Sequence, residues 1–275
     1  MRIGAYLTSV QAVIDAGGTV TQEYTDAVAR WRAWNTPAGE SASDRLAAAY
    51  RDGADLATLN TLRQEAIIAQ SSTTVDLATV NNSVAPIARE HIMTAYKATA
   101  AANYETLRDK FNDAADRFHS KADVIDPEAD PGTLVSAPAR TRTAWLEADL
   151  IARELDALAA PLADAATLAG HAVKTPADHA GLTMNAGDLH RRRVWEALNA
   201  TGRCGKWSAL VNLGATLNAP DLDSLTPYRE ARPIETVYEH TGFGMRPIEL
   251  DPEDDDYDEK AANMRRATPG RVALI

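Results

Sequence analysis

The sequence predicts a mostly α protein: a helical bundle built around a long antiparallel helical hairpin, with an extended proline- and acid-rich C-terminal arm. Two apolar stripes carry the first part of that reading. Met93, Tyr96, Ala100, Tyr104, Leu107, Phe111, Ala114 and Phe118 recur every three or four residues, and Ala148, Ile151, Leu155, Leu158, Leu162, Ala165 and Ala169 do the same. That spacing places each set on one face of a helix. Alanine is abundant while aromatic residues make up 6% of the chain. Alanine has the best helix propensity and is a poor strand former.

In chain order, Ile3, Leu7, Val10, Val13 and Ile14 form one face of a first helix over 3–16, stopped by Gly17-Gly18. Thr19 and Gln22 suggest a capping box for a second helix through Trp34, broken at 35–39 by Asn-Thr-Pro-Ala-Gly. Ser43 caps a third, and Leu56, Leu59, Leu62, Ala66 and Ala69 continue the pattern beyond Gly53. The polar, β-branched stretch 71–84 reads as a frayed helix or an ordered loop. Pro86 suits a first helical turn, and the helix from Ile87 to about Ala122 would be roughly 54 Å long at about 1.5 Å per residue. The loop 126–132 ends it. Pro138 starts the return helix to about His171, with a kink expected near Pro161. The pair is expected to bury Leu107, Phe111, Leu155 and Leu158 in its seam.

Thr175-Pro176-Ala177-Asp178 looks like a cap and first turn, and 189–200 and 207–217 like shorter helices. From Ala219 prolines recur at 220, 227, 233, 247, 252 and 269, a density that opposes a long helix or a central strand. The expected divisions are therefore a helical body over 1–172, a short-helix subdomain over 173–218 and an arm over 219–275.

The formal net charge of −11 is unevenly placed. Eight carboxylates and no base lie between Glu249 and Glu259, leaving −3 for everything else. A nearly neutral body gives no general attraction to nucleic acid or an anionic membrane. Cys204 is the single cysteine, so no intrachain disulfide forms and a reducing compartment is expected. The N-terminus lacks the apolar core of a signal peptide, and no stretch approaches the roughly 18 apolar residues of a membrane span. Cytoplasmic synthesis follows, with incorporation into a particle as a further step.

No constellation identifies a reaction, and no catalytic, cofactor or metal residue is assigned. Asp116 and His119 share a helix face, but a di-metal site needs more ligands. Asp254-x-Asp256-x-Asp258 resembles the start of a calcium loop, yet Glu259 and Arg265 occupy the positions of its glycine and its bidentate glutamate. Gly202 to Ser208 has its glycines too close for a phosphate loop, and Gly242-Phe243-Gly244 lacks the third dinucleotide glycine. Cys204 beside Arg203 and Lys206 has neighbours that would lower a thiol pKa, but no base is evident.

Two segments remain. Arg191, Arg192, Arg193, Arg203 and Lys206 form a basic region over 188–207, a candidate contact for an anion or for the acidic arm. In the arm, Tyr228, Ile234, Val237, Tyr238, Phe243, Met245 and Ile248 are spaced as separate anchors for a partner. The leading expectation is a non-enzymatic structural or assembly protein of a homo-oligomeric particle that also contacts other assembly proteins, with no membrane partner. Composition rich in alanine, arginine and aspartate resembles high-GC actinobacteria and their phages, which points to a phage virion component of minor capsid, connector or scaffolding type. The alternative is a nucleic-acid-associated regulatory or packaging protein using 188–207; nucleic acid is the less favoured partner. A helical enzyme with an unrecognised pocket is third.

Overall fold

The computed structural model describes residues 2–36, 41–71, 74–241, 244–254 and 256–267. The expected break at 37–39, the anchor Phe243, Asp255 and Pro269 lie outside them. The fold is mostly helical, as the apolar stripes require. The chain divides into two compact units, Met1–Asn103 and Tyr104–Ile275. Both divisions expected from sequence, after 172 and after 218, lie inside the second unit.

The first unit holds α1 (Ile3–Asp15), α2 (Gln22–Asn35), α3 (Ala42–Arg51), α4 (Leu56–Ser71) and the N-terminal part of α5 (Thr74–Ala122). Its core brings Val10 and Val13 of α1 and Val28 of α2 together with Ile92, Ala95 and Ala100 of α5 as the buried set. Tyr96 is the aromatic centre, edge-on to Tyr6 at 6.2 Å and to Tyr24 at 5.7 Å between ring centroids. Asn103, though polar, is buried within the α5 stripe. Its Oδ1 accepts the Thr19 amide at 2.8 Å, and its Nδ2 donates to the Thr19 carbonyl at 2.8 Å and to the Tyr96 hydroxyl at 3.0 Å. That engagement explains a correction: Thr21, not Thr19, caps α2, accepting from the Tyr24 amide. Similarly Ser41, not Ser43, caps α3.

α5 runs for 49 residues, and Pro86 lies inside it instead of opening it. A helical proline forfeits one backbone bond, and the helix runs through that loss here. The uncertain stretch is thus helical from Thr74. Met93 departs from the stripe at 38% exposure, its place taken by Ile92 and Ala95.

The second unit contains the rest of α5, a 3-10 turn at Pro131–Leu134, α6 (Ala139–Leu168), α7 (Pro176–Thr183), β1 (Met184–Asn185), α8 (Arg191–Leu198), α9 (Gly205–Leu213), β2 (Thr216–Leu217), a second 3-10 turn at Leu222–Ser224, β3 (Glu235–Thr241), β4 (Gly244–Leu250) and α10 (Tyr257–Ala267). Leu107, Phe111, Phe118, Leu155 and Leu162 are fully buried, together with Trp207 and Leu210 of α9. Leu158 is only half-buried, since the inner face of α6 passes through Ala152, Leu155, Leu162, Ala163 and Ala166 beside it. Arg117 pairs with Glu154 and Lys121 with Glu147, so later positions of α5 meet earlier positions of α6, the order that antiparallel neighbours give. α6 continues through Pro161.

α7 opens at the expected cap, Thr175, which forms a capping box with Asp178. β1 pairs antiparallel with β2, and β3 with β4 in the register Val237↔Ile248 and Tyr238↔Pro247. Gly181 of α7 lies so close to the Thr226 carbonyl that any Cβ would collide with that backbone, which is how residues 226–228 pass across the helix.

The extended arm is the main correction. From 219 the chain packs on its own unit: Ala219 is held by Asn112, the Tyr104 hydroxyl donates to the Pro220 carbonyl, Arg108 pairs with Asp221, and the Tyr228 amide donates to Ala177. Prolines at 247 and 252 leave room for a two-stranded ribbon, where each strand has an unpaired edge and loses no ladder bond to proline there. An exposed ribbon of this length needs a packed face, and Leu250 and Ala261 of α10 are buried.

Leu155, with no solvent exposure, tests the core. Leu155→Ala should lower unfolding free energy by about 2–5 kcal/mol in urea titrations, whereas Leu158→Ala at its half-buried neighbour should cost clearly less.

Candidate functional site

The basic segment is built on two short helices. His190 caps α8, its Nδ1 accepting weakly from the Arg193 amide at 3.4 Å. The three residues that open this helix then meet the acidic run one by one. His190 Nε2 lies 3.2 Å from Asp254, Arg191 pairs with Glu253 at 3.5 Å, and Arg192 grips Asp251 with Nε at 2.5 Å and Nη2 at 3.0 Å. Glu253 also accepts from the amide and side chain of Arg232. The Arg192 hydrogen bond, working against partial burial, holds the Asp251 carboxyl at about 2. Three of the carboxylates expected to reach a neighbouring subunit, Asp251, Glu253 and Asp254, are therefore engaged within the chain. Tethering explains this, because the run is held near α8 at an effective concentration a separate molecule must exceed.

α9 begins at Gly205 without help from its own cap residue, Cys204. Glu128, from the loop after α5, supplies it. Its carboxylate accepts from the Arg203 amide at 3.0 Å, the Cys204 amide at 2.7 Å and the Ser208 hydroxyl at 2.9 Å. Desolvation works against its charge, but these bonds outweigh it and hold the carboxyl below its ordinary range. The place a phosphate would take at a phosphate-loop helix thus holds a carboxylate of the chain itself. Arg203 lies flat on Trp145, 3.4 Å from the ring centroid, and donates to the carbonyls of Pro127 and Trp145. Lys206 stands over Trp207, whose indole N–H donates to Asp156. Arg203 and Lys206 are thereby structural clasps, not parts of one basic face with Arg191–Arg193.

The remaining candidates also have places. Cys204 is buried, and burial pushes its thiol up to about 11, the reverse of the lowering its basic neighbours suggested. His119 Nε2 accepts the Leu217 amide at 3.0 Å, which ties that ring nitrogen to β2. Among the arm residues, Val237 and Ile248 form a half-buried cross-strand pair, whereas Ile234, Tyr238 and Met245 are exposed. Tyr228 packs its ring 5.9 Å from Trp195, and its hydroxyl is buried without a hydrogen-bond partner among the described residues.

Two features escaped sequence reasoning. His190, Asp251 and Asp254 bring one candidate ligand atom each within 4.8 Å of one another. About sixty residues separate them, so no spacing motif announces the group, and Arg192 already occupies Asp251. The second is a cleft of about 1170 Å³ walled by Arg108, Arg191, Arg193, Asn218, Arg229 and Glu253, among others. Comparison of the chain with family models, curated proteins and solved structures finds no match. Among the described residues no helix is long and apolar enough to cross a membrane.

Replacing Glu128 by Gln removes the charge that caps α9 and should cost about 1–2 kcal/mol, read from urea midpoints near neutral pH. Asp251 gives a pH signature. Its folded pKa of about 2 lies below the ordinary carboxyl value of 3.8, so its contribution is complete above the unfolded value and disappears as pH falls through the folded one. Between pH 4 and 2 the wild type should lose stability more steeply than Asp251→Asn, measured by chemical denaturation across that window.

Proposed function

We propose that this chain is a non-enzymatic structural or assembly protein that associates through exposed apolar helix surface, most specifically a phage virion component of minor capsid, connector or scaffolding type. The observation that carries the reading is the α3–α4 pair. No described residue of α3 is buried and Ala66 is the buried residue of α4, while Tyr50 is 76%, Leu56 75% and Ile67 56% exposed. Large apolar side chains left exposed on one helical pair form a surface that gains by contact with another chain. The outer face of the β3–β4 ribbon, with Tyr238 and Met245 exposed beside Pro247, is a second such surface. The virion assignment rests on composition. Support for a non-catalytic role comes from Cys204, whose thiol is buried.

The nucleic-acid alternative loses weight. Of Arg191, Arg192 and Arg193, the first two are paired with Glu253 and Asp251, so the segment presents no continuous basic face to a polyanion.

Light scattering coupled to size exclusion tests the reading. Wild-type protein should elute above monomer mass in a concentration-dependent way, and Tyr50→Asp/Leu56→Asp/Ile67→Asp should shift it toward monomer with helical circular dichroism retained. A wild type monomeric at every concentration, or a triple variant with unchanged mass, overturns the role given to this surface.

A further inference from the structure

The cleft in the second unit goes beyond the assembly reading. Its walls come from α5, which supplies Arg108; from the start of α8, which supplies Arg191 and Arg193; and from the 218–229 segment, which supplies Arg229. Four guanidinium groups around one concavity are unusual in a chain with a net charge of −11.

What a ligand would meet depends on which charges are already paired. The carboxylates on the walls are mostly engaged. Asp221 is held by Arg108, Glu253 by Arg191 and by Arg232, and Asp254 by His190 with Lys260 at 3.9 Å. Arg232 and Lys260 are not among the residues that line the cleft, so they neutralise acid there without adding cation to it. Among the described residues, Arg193 and Arg229 have no ion pair, and of the lining carboxylates only Asp188 is in the same position. The balance of unpaired charge facing the cleft is positive. Neutral hydrogen-bonding side chains, Asn185, Asn218, Ser224 and Thr226, complete the walls. The volume suits a small molecule and exceeds what a bare ion needs.

We infer that this cleft binds a small oxyanion ligand, carrying phosphate or carboxylate groups, through Arg193 and Arg229. Guanidinium groups present paired N–H donors that match either oxyanion, and these charge-assisted bonds are stronger than neutral ones. The internal pairs of Arg108 and Arg191 hold the walls in place, so the two unpaired arginines are the groups a ligand engages.

Isothermal titration calorimetry in a phosphate-free chloride buffer tests this, with inorganic phosphate and citrate as separate probes on the full chain. One of them should bind at one site per chain. Preference for phosphate identifies a phosphate-bearing ligand, and preference for citrate a polycarboxylate. Arg193→Gln/Arg229→Gln should weaken that binding by about tenfold or more. Neither side chain has an ion pair to lose, and circular dichroism verifies the fold. A charge-matched control, Arg63→Gln/Arg140→Gln, removes two exposed cations elsewhere and should leave affinity unchanged. The inference is overturned if neither probe binds, if the cleft variant binds as the wild type does, or if the control loses as much as the cleft variant. Retention of duplex DNA that depends on Arg193 and Arg229, without binding of either small anion, also overturns it in favour of a nucleic-acid surface.

Discussion

Polar side chains set into the face of α5 hold the backbone of distant loops, and much of the structure depends on that arrangement. Asn103 makes two bonds to Thr19, and Asn112 makes two to Ala219. The Tyr104 hydroxyl reaches the Pro220 carbonyl, and His119 accepts the Leu217 amide. A loop that crosses a helix brings amides and carbonyls out of water, and each one left unpaired costs more than its bond returns when made. An amide side chain meets both groups of one residue at once. α5 therefore works as an apolar stripe that buries area and as a row of fixed hydrogen-bonding groups that selects where the returning chain lies.

The same economy explains why the basic and acidic segments meet inside one chain. Once Asn112, Tyr104 and Arg108 have fixed 219–221, and Gly181 has let 226–228 pass over α7, the residues that follow return to the start of α8. Arg191, Arg192 and His190 then find Glu253, Asp251 and Asp254. These are partly exposed pairs, individually modest in energy. Their value lies in register, since three contacts in succession admit one alignment of the two segments. Glu128 acts in the same manner at α9, where a side chain from another loop does the work of a local cap.

This pattern bears on function by separating the groups the fold consumes from those it leaves. Arg203, Lys206, Cys204, Glu128 and His119 are consumed: each is buried, stacked or hydrogen-bonded within the chain. Tyr50, Leu56, Ile67, Tyr238 and Met245 are left as apolar surface, and Arg193 and Arg229 as cations facing a cleft. An assembly role uses the first group of leftovers, and a small oxyanion uses the second. The two are compatible, because the α3–α4 pair and the cleft belong to different units.

By itself the sequence determined the helical class, the two apolar stripes, the stop at 126–132, the start at Pro138 and the cap at Thr175, because each rests on contacts within a few residues. It also marked the basic and acidic segments. Tertiary structure decided what these segments do. The choice of Thr21 over Thr19 as a cap, the capping of α9 by Glu128, the rise in the Cys204 pKa and the packing of the chain from 219 onto its own unit all depend on partners far away in sequence. Spacing cannot encode a hydrogen bond across 76 or 107 residues. Proline density likewise counts against regular structure only until packing and a favourable register outweigh it, as β3 and β4 show. The cleft was illegible for the same reason: its walls come from four separated stretches, and which of its arginines stay unpaired is settled only when the chain has closed around them.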